Sequence, residues 1–335
     1  MGSVGVIVNP QAGKDIRRLV SPASHTADSA KIGVVRRVIA AAAEAGAERV
    51  WMAGDPNRLA ERAALGLDAE VEIVPGELTG SRHDTISAAA HMRALGVGAV
   101  VVLGGDGTNR DAAKGWPQLP LVAISTGTNN VFPSTIDGTS AGMAAGLVAS
   151  GAIGLHEVGR SAKRIDMTLV DEAHPDGVPD LALVDLALVA ASFTGARAVT
   201  DPHSLRWVVA AMAPPASTGM ASIAGRVHPV GRFEPGGVLV RLGEGGRRVR
   251  VPLAPGAFAT VEVAEVTPLQ PNQRIELPGV GVLAFDGERD RRLGEDARLT
   301  VWIDPDGPVM IDVDATLHLA AQRQLFDETP VTTTI

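Results

Sequence analysis

The sequence predicts an α/β N-terminal domain with a parallel sheet, followed by a C-terminal β-rich, sandwich-like domain. Three observations predict it. Short, continuously apolar runs alternate with Ala-rich helical stretches as far as residue 150, the pattern of parallel strands covered on both faces. From about Leu155 the chain changes to short strands separated by Gly and Pro. At 335 residues and 34.5 kDa the chain suits two ordinary domains. We place the first at residues 1–154 and the second at 155–313. A closing helix over 314–327 is expected to pack back on the first.

In order, Val4 to Val8 is a β-branched run ended by Asn9-Pro10-Gln11-Ala12-Gly13. Val34 to Ala45 reads as a helix closed by Gly46. Arg49 to Met52 and Val71 to Val74 read as strands, and Asp84 to Leu95 as a helix stopped by Gly96. Ala99 to Leu103 is an apolar strand running into Gly104-Gly105-Asp106-Gly107-Thr108-Asn109. Leu121 to Ile124 is another, ended by Ser125-Thr126-Gly127-Thr128-Asn129-Asn130. Thr139 to Ser150 returns to helix. In the second half, Ala182 to Ala190, Gly237 to Leu242, Arg248 to Leu253, Ala259 to Val263, Val280 to Phe285 and Leu299 to Ile303 read as strands. Val208 to Met212 fits a short helix, and Ala315 to Phe326 a final one.

Composition narrows the function. Hydrophobic residues are 45% and charged residues 20%, so a large core is available and wholesale disorder is excluded. Aromatics are 3% with no Tyr, which argues against a base-stacking surface. The net charge of −8 argues against a nucleic-acid partner. The absence of Cys excludes disulfides, thiolate catalysis and Cys-ligated metals. The start of the chain lacks a basic segment and a long apolar one, and the longest apolar run is broken by Asp185. No membrane association is expected, and the cytoplasm is the expected compartment.

The main chemical signal is the buried strand that delivers Gly104 to Asn109. Glycines let backbone N–H groups approach phosphate oxygens, and the following helix N-terminus favours anions. Thr108 and Asn109 add a hydroxyl and an amide. A carboxylate here would repel a phosphate unless a cation or proton intervenes. Asp106 is therefore a candidate Mg²⁺ ligand or proton acceptor. The plainer alternative is a tight Asp-Gly turn. Two further loops, Asn9 to Lys14 and Ser125 to Asn130, are expected on the same sheet edge, completing a three-loop cleft. The chain has no Gly-x-x-x-x-Gly-Lys-[Ser/Thr] and no Gly-x-Gly-x-x-Gly after its first strand.

Asn9-Pro10-x-Ala12-Gly13, Gly104-Gly105-Asp106-Gly107-Thr108 and the Gly-Thr-Asn-Asn loop together resemble the superfamily of NAD kinases, diacylglycerol kinases and sphingosine kinases. Phe285-Asp286-Gly287-Glu288 resembles its Asp-Gly-Glu/Gln element. Within the superfamily, the stretches Gly13 to Val20, Gly104 to Arg110, Ser125 to Pro133 and Ser222 to Gly225 are most similar to the NAD-kinase-like acetoin-catabolism protein X family. The resemblance implies an NAD kinase/diacylglycerol kinase-like fold with the active site between its two domains. It implies ATP and Mg²⁺, an acceptor such as NAD(H), a homo-oligomer (dimer or tetramer) and a link to acetoin use.

Residue by residue, the resemblance puts Asp106 in the catalytic or metal-linked position and Glu288 in that of the second carboxylate. Asn9, Pro10, Gly13, Gly104, Gly105, Gly107, Thr108, Asn109, Thr126, Gly127, Thr128, Asn129 and Asn130 fall in the nucleotide- or substrate-contacting loops. NAD kinases carry an Asn-acid pair early in the β domain. Here Val184 stands in place of the Asn, while Asp185 keeps the carboxylate. Arg17 and Arg18 are candidate phosphate contacts or a solvated helix start. Arg110 and Asp111 are expected to cap or pair locally. Asp84 either faces the cleft or caps its helix. Arg197 either meets substrate or forms a surface salt bridge. The eight His residues are scattered without metal-ligand spacing. If the segment stays extended, Asp286 and Glu288 are expected to face opposite sides with only one pointing into the cleft, a constraint that a turn at Gly287 would relax. The reading is an ATP-dependent small-molecule kinase. Its alternatives are a kinase for another hydroxyl metabolite or lipid, and a non-catalytic nucleotide sensor.

Overall fold

The computed structural model describes residues 2–13, 26–127, 130–190 and 202–327. Lys14, Arg17, Arg18, Thr128, Asn129 and Arg197 lie outside the described residues.

The first part alternates strand and helix: β1 (Ser3–Val8), α1 (Asp28–Glu44), β2 (Arg49–Met52), α2 (Leu59–Ala64), β3 (Val71–Ile73), α3 (Arg82–Ala94), β4 (Ala99–Gly104), α4 (Asp106–Gly115), β5 (Pro120–Ser125), α5 (Gly138–Ala149) and α6 (Leu155–Val158). The second is nearly all strand: β6 (Gly159–Ser161), β7 (Arg164–Asp171), β8 (His174–Ala182), β9 (Asp185–Val189), β10 (Leu205–Ala210), α7 (Ala221–Val227), β11 (Gly237–Ala254), β12 (Ala257–Leu269), β13 (Ile275–Leu277), β14 (Gly281–Phe285), β15 (Glu288–Leu293), β16 (Arg298–Asp304), β17 (Val309–Ile311) and α8 (Val313–Gln322).

The first sheet has the order β3-β2-β1-β4-β5-β17-β6. β1 to β5 are mutually parallel, as the continuous apolar runs predict. Every residue of β4 is buried: Ala99, Val101 and Leu103 face α1, α2 and α5, and Val100 and Val102 face α3 and α4. The chain winds outward from β1 through β2 to β3, then crosses to β4 on the other side. The direction therefore reverses between β1 and β4, and a crevice opens at their carboxyl ends. The loops beginning at Asn9 and Gly105 leave those two ends.

The remaining strands form two antiparallel sheets, β12-β11-β10-β9-β14-β15 and β13-β16-β7-β8. Ile165, Met167, Leu186, Leu188, Trp207, Val209, Leu283, Phe285, Val301 and Ile303 fill the space between them. The other face of the six-stranded sheet is covered by α7 through Ile223 and Ala224. β17 and β6 join the first sheet, and α8 packs on α5.

Several segments differ from the sequence expectation. Val208 to Ala210 is strand, not helix. Trp207 and Val209 alternate with Val208 and Ala210 across the sheet, a bulge puts Leu205 on the side of Val208, and both faces are covered. The two strands expected over 237–253 are one strand, β11, interrupted by a bulge in which Leu242 and Arg247 both face Val263. The run from Ala182 to Ala190 breaks at Leu183 and Val184, which lie between β8 and β9. The short helix α2 went unread because its six residues give too little periodicity.

Candidate active site

A cleft of about 990 Å³ opens where the first sheet meets the β-rich part. Asn9, Pro10 and Gly13 line it from the loop after β1; Gly105, Asp106, Gly107 and Thr108 from the turn after β4; and Gly127 and Asn130 from the loop after β5. Asp185, Asp286, Gly287 and Glu288 close it from the opposite side. These are the three expected loops, brought to one edge by parallel strands, plus the hairpin opposite.

The loops are tied to one another. The Asn9 side-chain amide donates to Thr108 Oγ1 at 2.8 Å. The buried Lys31 ammonium donates to the carbonyls of Asn9 and Pro10. Gly13 has φ +73°, and a Cβ there would sit 2.7 Å from the Thr126 carbonyl oxygen, so the loop closes on its neighbour only with glycine. Asn130 donates to Ser125 Oγ, and its Oδ1 would lie 2.9 Å from a Cβ on Gly105.

Asp106 opens α4 with Gly105 as its N-cap. It is buried, and its carboxylate accepts from the backbone N–H of Val131 (3.0 and 3.1 Å) and Phe132 (2.8 Å). Those donors fix its orientation at the helix N-terminus, where an anionic group is favoured. Glu288 reaches the same turn: a Cβ on Gly107 would be 3.7 Å from Glu288 Oε2.

Asp286 and Gly287 both have positive φ, 49° and 84°, and join β14 to β15 in a two-residue turn. Residues two apart on an extended strand share a face, so the expected opposition of the two acids comes from this turn and not from strand alternation. Asp286 turns back to accept from the N–H groups of Leu183, Val184 and Asp185, while Glu288 faces the cleft. The same bonds hold the break between β8 and β9, and with it Asp185.

Asp185 is buried at the cleft wall, and its Oδ1 has no hydrogen-bond partner. Burial pushes its carboxyl well above the usual range, and the neighbouring Asp286 and Asp106 push it further. Burial also raises Asp286, against the pull of Arg110 and of its three N–H donors. Val184 does not face the cleft. Its side chain packs in the core with Leu181, Leu183 and Phe132.

Three of the remaining expected residues support the turn from outside the cleft lining. A Cβ on Gly104 would meet Thr108 Cβ at 2.5 Å, Asn109 bonds back to the Gly105 carbonyl, and the Thr126 carbonyl accepts from Thr26 Oγ1. Of the two roles considered for Asp84 the structure gives the first: the cap of α3 is Ser81, whose Oγ accepts from the His83 N–H. Asp84 lines the cleft, and it accepts from the N–H groups of Thr79 and Gly80, which with the Thr79 hydroxyl hold it below the usual carboxylate range despite some burial.

Arg110 pairs locally with Asp111 at 3.8 Å, as expected, and also reaches across the molecule: its Nη1 donates to the Phe285 carbonyl at 3.0 Å, its guanidinium lies over the Phe285 ring, and Asp290 is 3.8 Å away. Asp111 lines the cleft, and burial pushes its carboxyl up to about 6 against the pull of Arg110, Arg82 and Lys114. The sequence reading also missed Asp55, Arg82 and Asp290. Asp55 accepts from Asn57, Leu59 and Ala60 at the start of α2. It follows β2 on the same sheet edge, which was the available signal. Arg82 pairs with Asp290 across 208 residues at 2.5 Å, and no local pattern announces that.

The lining is rich in carboxyl groups: Asp55, Asp84, Asp106, Asp111, Asp185, Asp286, Glu288 and Asp290. Such hard oxygen donors fit Mg²⁺ carried in with a nucleotide, an ion that takes one or two carboxylates and completes its shell with phosphate and water. The unpartnered Asp185 Oδ1 is consistent with that fit. Among the described residues no three acids or histidines already converge on one point.

Residues 4–148 match the model of the ATP-NAD kinase N-terminal domain, and residues 163–306 that of the acetoin catabolism protein X C-terminal domain. Acetoin catabolism protein X of Cupriavidus necator (strain H16) is 36% identical over 342 residues, covering 98% of this chain and 94% of its own. The chain belongs to the acetoin catabolism protein X family. An uncharacterized protein of Archaeoglobus fulgidus is 42% identical over 77 residues, 22% of this chain and 25% of its own. Among solved structures, yeast NADH kinase complexed with NADH superposes with a TM-score of 0.55 at 13% identity, covering all of this chain and 90% of its own. This acetoin catabolism protein X family member thus has the NAD kinase-like fold. Among its described residues, no helix is long and apolar enough to cross a membrane.

Proposed function

We propose that this chain transfers a phosphoryl group from ATP to a hydroxyl of a small molecule, with NAD or NADH as the first acceptor to test. One observation carries the reading: Asp106 sits at a helix N-terminus, in a glycine turn at the sheet's switch point, inside a cleft large enough for two ligands. The match of residues 4–148 to the ATP-NAD kinase domain supports it.

The turn from Gly104 to Thr108 and the loops at Asn9 and Asn130 hold the phosphates through backbone N–H groups and side-chain amides. Asp106, held by Val131 and Phe132, accepts the proton of the attacking hydroxyl. Glu288, across Gly107, is the second carboxylate at the acceptor. Mg²⁺, bound with ATP, supplies charge neutralisation on the transferring phosphoryl group. Arg17 and Arg18, Thr128 and Asn129 remain part of the proposal as nucleotide contacts.

Val184 favours a second reading on the acceptor side. The position that carries an amide in NAD kinases is here an apolar side chain turned into the core, which suits a different hydroxyl metabolite. The name of the Cupriavidus relative suggests one used with acetoin.

Incubation with Mg-ATP and NAD or NADH, read by NADP(H) formation, tests the first reading. Asp106→Asn should lower turnover by about 10²-fold or more while Mg-ATP still binds by calorimetry. NADP(H) formed equally by Asp106→Asn would sink the catalytic role. ATP binding without any NADP(H) would direct the search to other hydroxyl acceptors.

A further inference from the structure

A second pocket, of about 180 Å³, shares no lining residue with the main cleft. Two cations meet in it. Lys163 is 6% exposed, and its ammonium donates to the Gly236 carbonyl at 2.6 Å. An ammonium has three N–H donors, and the structure gives this one no other bond. Arg232 donates through Nη2 to the Phe132 carbonyl and stacks 4.7 Å from the centre of the Phe132 ring. Its Nη1 is buried and has no partner.

Among the described residues no carboxylate lies at ion-pairing distance from either cation. The acid that acts on Lys163, Glu234, is exposed at the rim and accepts from the Gly231 N–H, and the acid that acts on Arg232 is Asp106 in the main cleft. Lys163 is buried and Arg232 half-buried, and holding two like charges there with no carboxylate in ion-pairing contact is costly. Both residues line this one pocket, and cationic side chains that share a cavity attract an anion into it. The remaining lining, which includes Ser161, Pro271, Ile303 and Pro305, brings no other charge.

We propose that this pocket binds a small oxyanion of phosphate or sulfate size, held by Lys163 and Arg232. Both cations are charged at neutral pH: burial lowers Lys163 to about 8 and Arg232 to about 10. The site also touches the main cleft at one remove. Arg232 holds the carbonyl of Phe132, and the N–H of the same residue holds Asp106. An anion at Arg232 therefore bears on the residue that anchors the Asp106 carboxylate.

The probe is sulfate, whose charge does not change near neutrality, titrated by calorimetry into the full chain. Saturable binding is expected at pH 7. Lys163→Met should weaken it at least tenfold, and Lys163→Arg should retain it. Affinity in the unaltered chain should fall as pH rises from 7 to 9, because the Lys163 ammonium loses its proton there while Arg232 keeps its charge. In Lys163→Arg it should stay level. Arg232→Gln, which should also weaken binding, serves as a second variant if Lys163→Met does not fold. Glycerol phosphate run beside inorganic phosphate tells an ester headgroup from a free ion, and either should depend on Lys163. No saturable binding, or binding unchanged in Lys163→Met and Arg232→Gln, overturns the proposal. None of these readouts depends on phosphoryl transfer.

Discussion

Asp106 and Asp111 lie on the same helix and meet opposite fates. Asp106 is anchored by two backbone N–H groups at the first turn. Asp111 is buried one turn later, its Oδ1 without a hydrogen bond, and its carboxyl is pushed up from 3.8 to about 6. In the unfolded chain this group ionises near 4. Between pH 4 and 6 the folded chain keeps a proton that the unfolded chain has lost, so this residue's contribution to stability falls as pH rises through that window. Above pH 6 the ionised, buried carboxylate is a net cost. Asp111→Asn should therefore raise stability at pH 7 by about 1–3 kcal/mol and flatten the pH 4–6 slope. Urea unfolding of both chains at pH 4.5, 6 and 7 measures it. An Asn variant less stable at pH 7 would show that the neighbouring Arg82 and Arg110 outweigh burial.

At the scale of elements, α1 and α5 touch through a row of glycines. A Cβ on Gly138, Gly142 or Gly146 would meet the carbonyl of Val34, Val38 or Ala42 at 2.6, 2.3 or 2.6 Å. The four-residue spacing on both helices puts each set on one face, and the backbones approach where side chains would normally stand. Gly142→Ala must separate the helices and should cost about 3 kcal/mol. Gly33→Ala, in α1, meets only the end of Arg37 at 3.8 Å. It should add about 0.5–1 kcal/mol from helix propensity. Paired urea melts distinguish the two. Equal effects would mean that the α1–α5 contact is not backbone-limited. The sequence displays the glycine spacing in α5, but the same letters fit a poor helix former. Only the partner helix gives them a purpose.

Across the whole molecule, the two parts are joined at the cleft by Arg110. It is 1% exposed and bonds the Phe285 carbonyl, so α4, which carries Asp106, is fastened to the hairpin that carries Glu288. Arg82 and Asp290 form a second tie beside it. Removing the guanidinium leaves Asp111, Asp286 and Asp290 without their central cation. Arg110→Met should destabilise the chain by about 3–5 kcal/mol. It should also lower turnover more than Mg-ATP affinity, because the proposed phosphate contacts lie in the first part and the proposed second carboxylate, Glu288, in the second. Unfolding curves and single-turnover rates check this, and a variant of unchanged stability would sink the idea.

The sequence by itself determined the parallel sheet, because β4 and its neighbours read as continuous apolar runs that only two covering layers can bury. It also determined the three loops at the strand ends, because Gly104 to Asn109, Asn9 to Gly13 and Ser125 to Asn130 each follow such a run. Local chemistry writes these features, and local chemistry is what a sequence displays. It determined less where segments were short or balanced between periods, as at Leu59–Ala64 and Val208 to Met212. The tertiary structure alone decided the rest of the site. Asp286 faces the amides of Leu183 to Asp185, Arg110 reaches Phe285, Arg82 reaches Asp290, and Arg232 reaches Phe132. Each pairing spans about a hundred residues or more. The burial that raises Asp111 and Asp185 likewise arises only when the two parts close on each other, because desolvation belongs to the packed site and not to any residue in it.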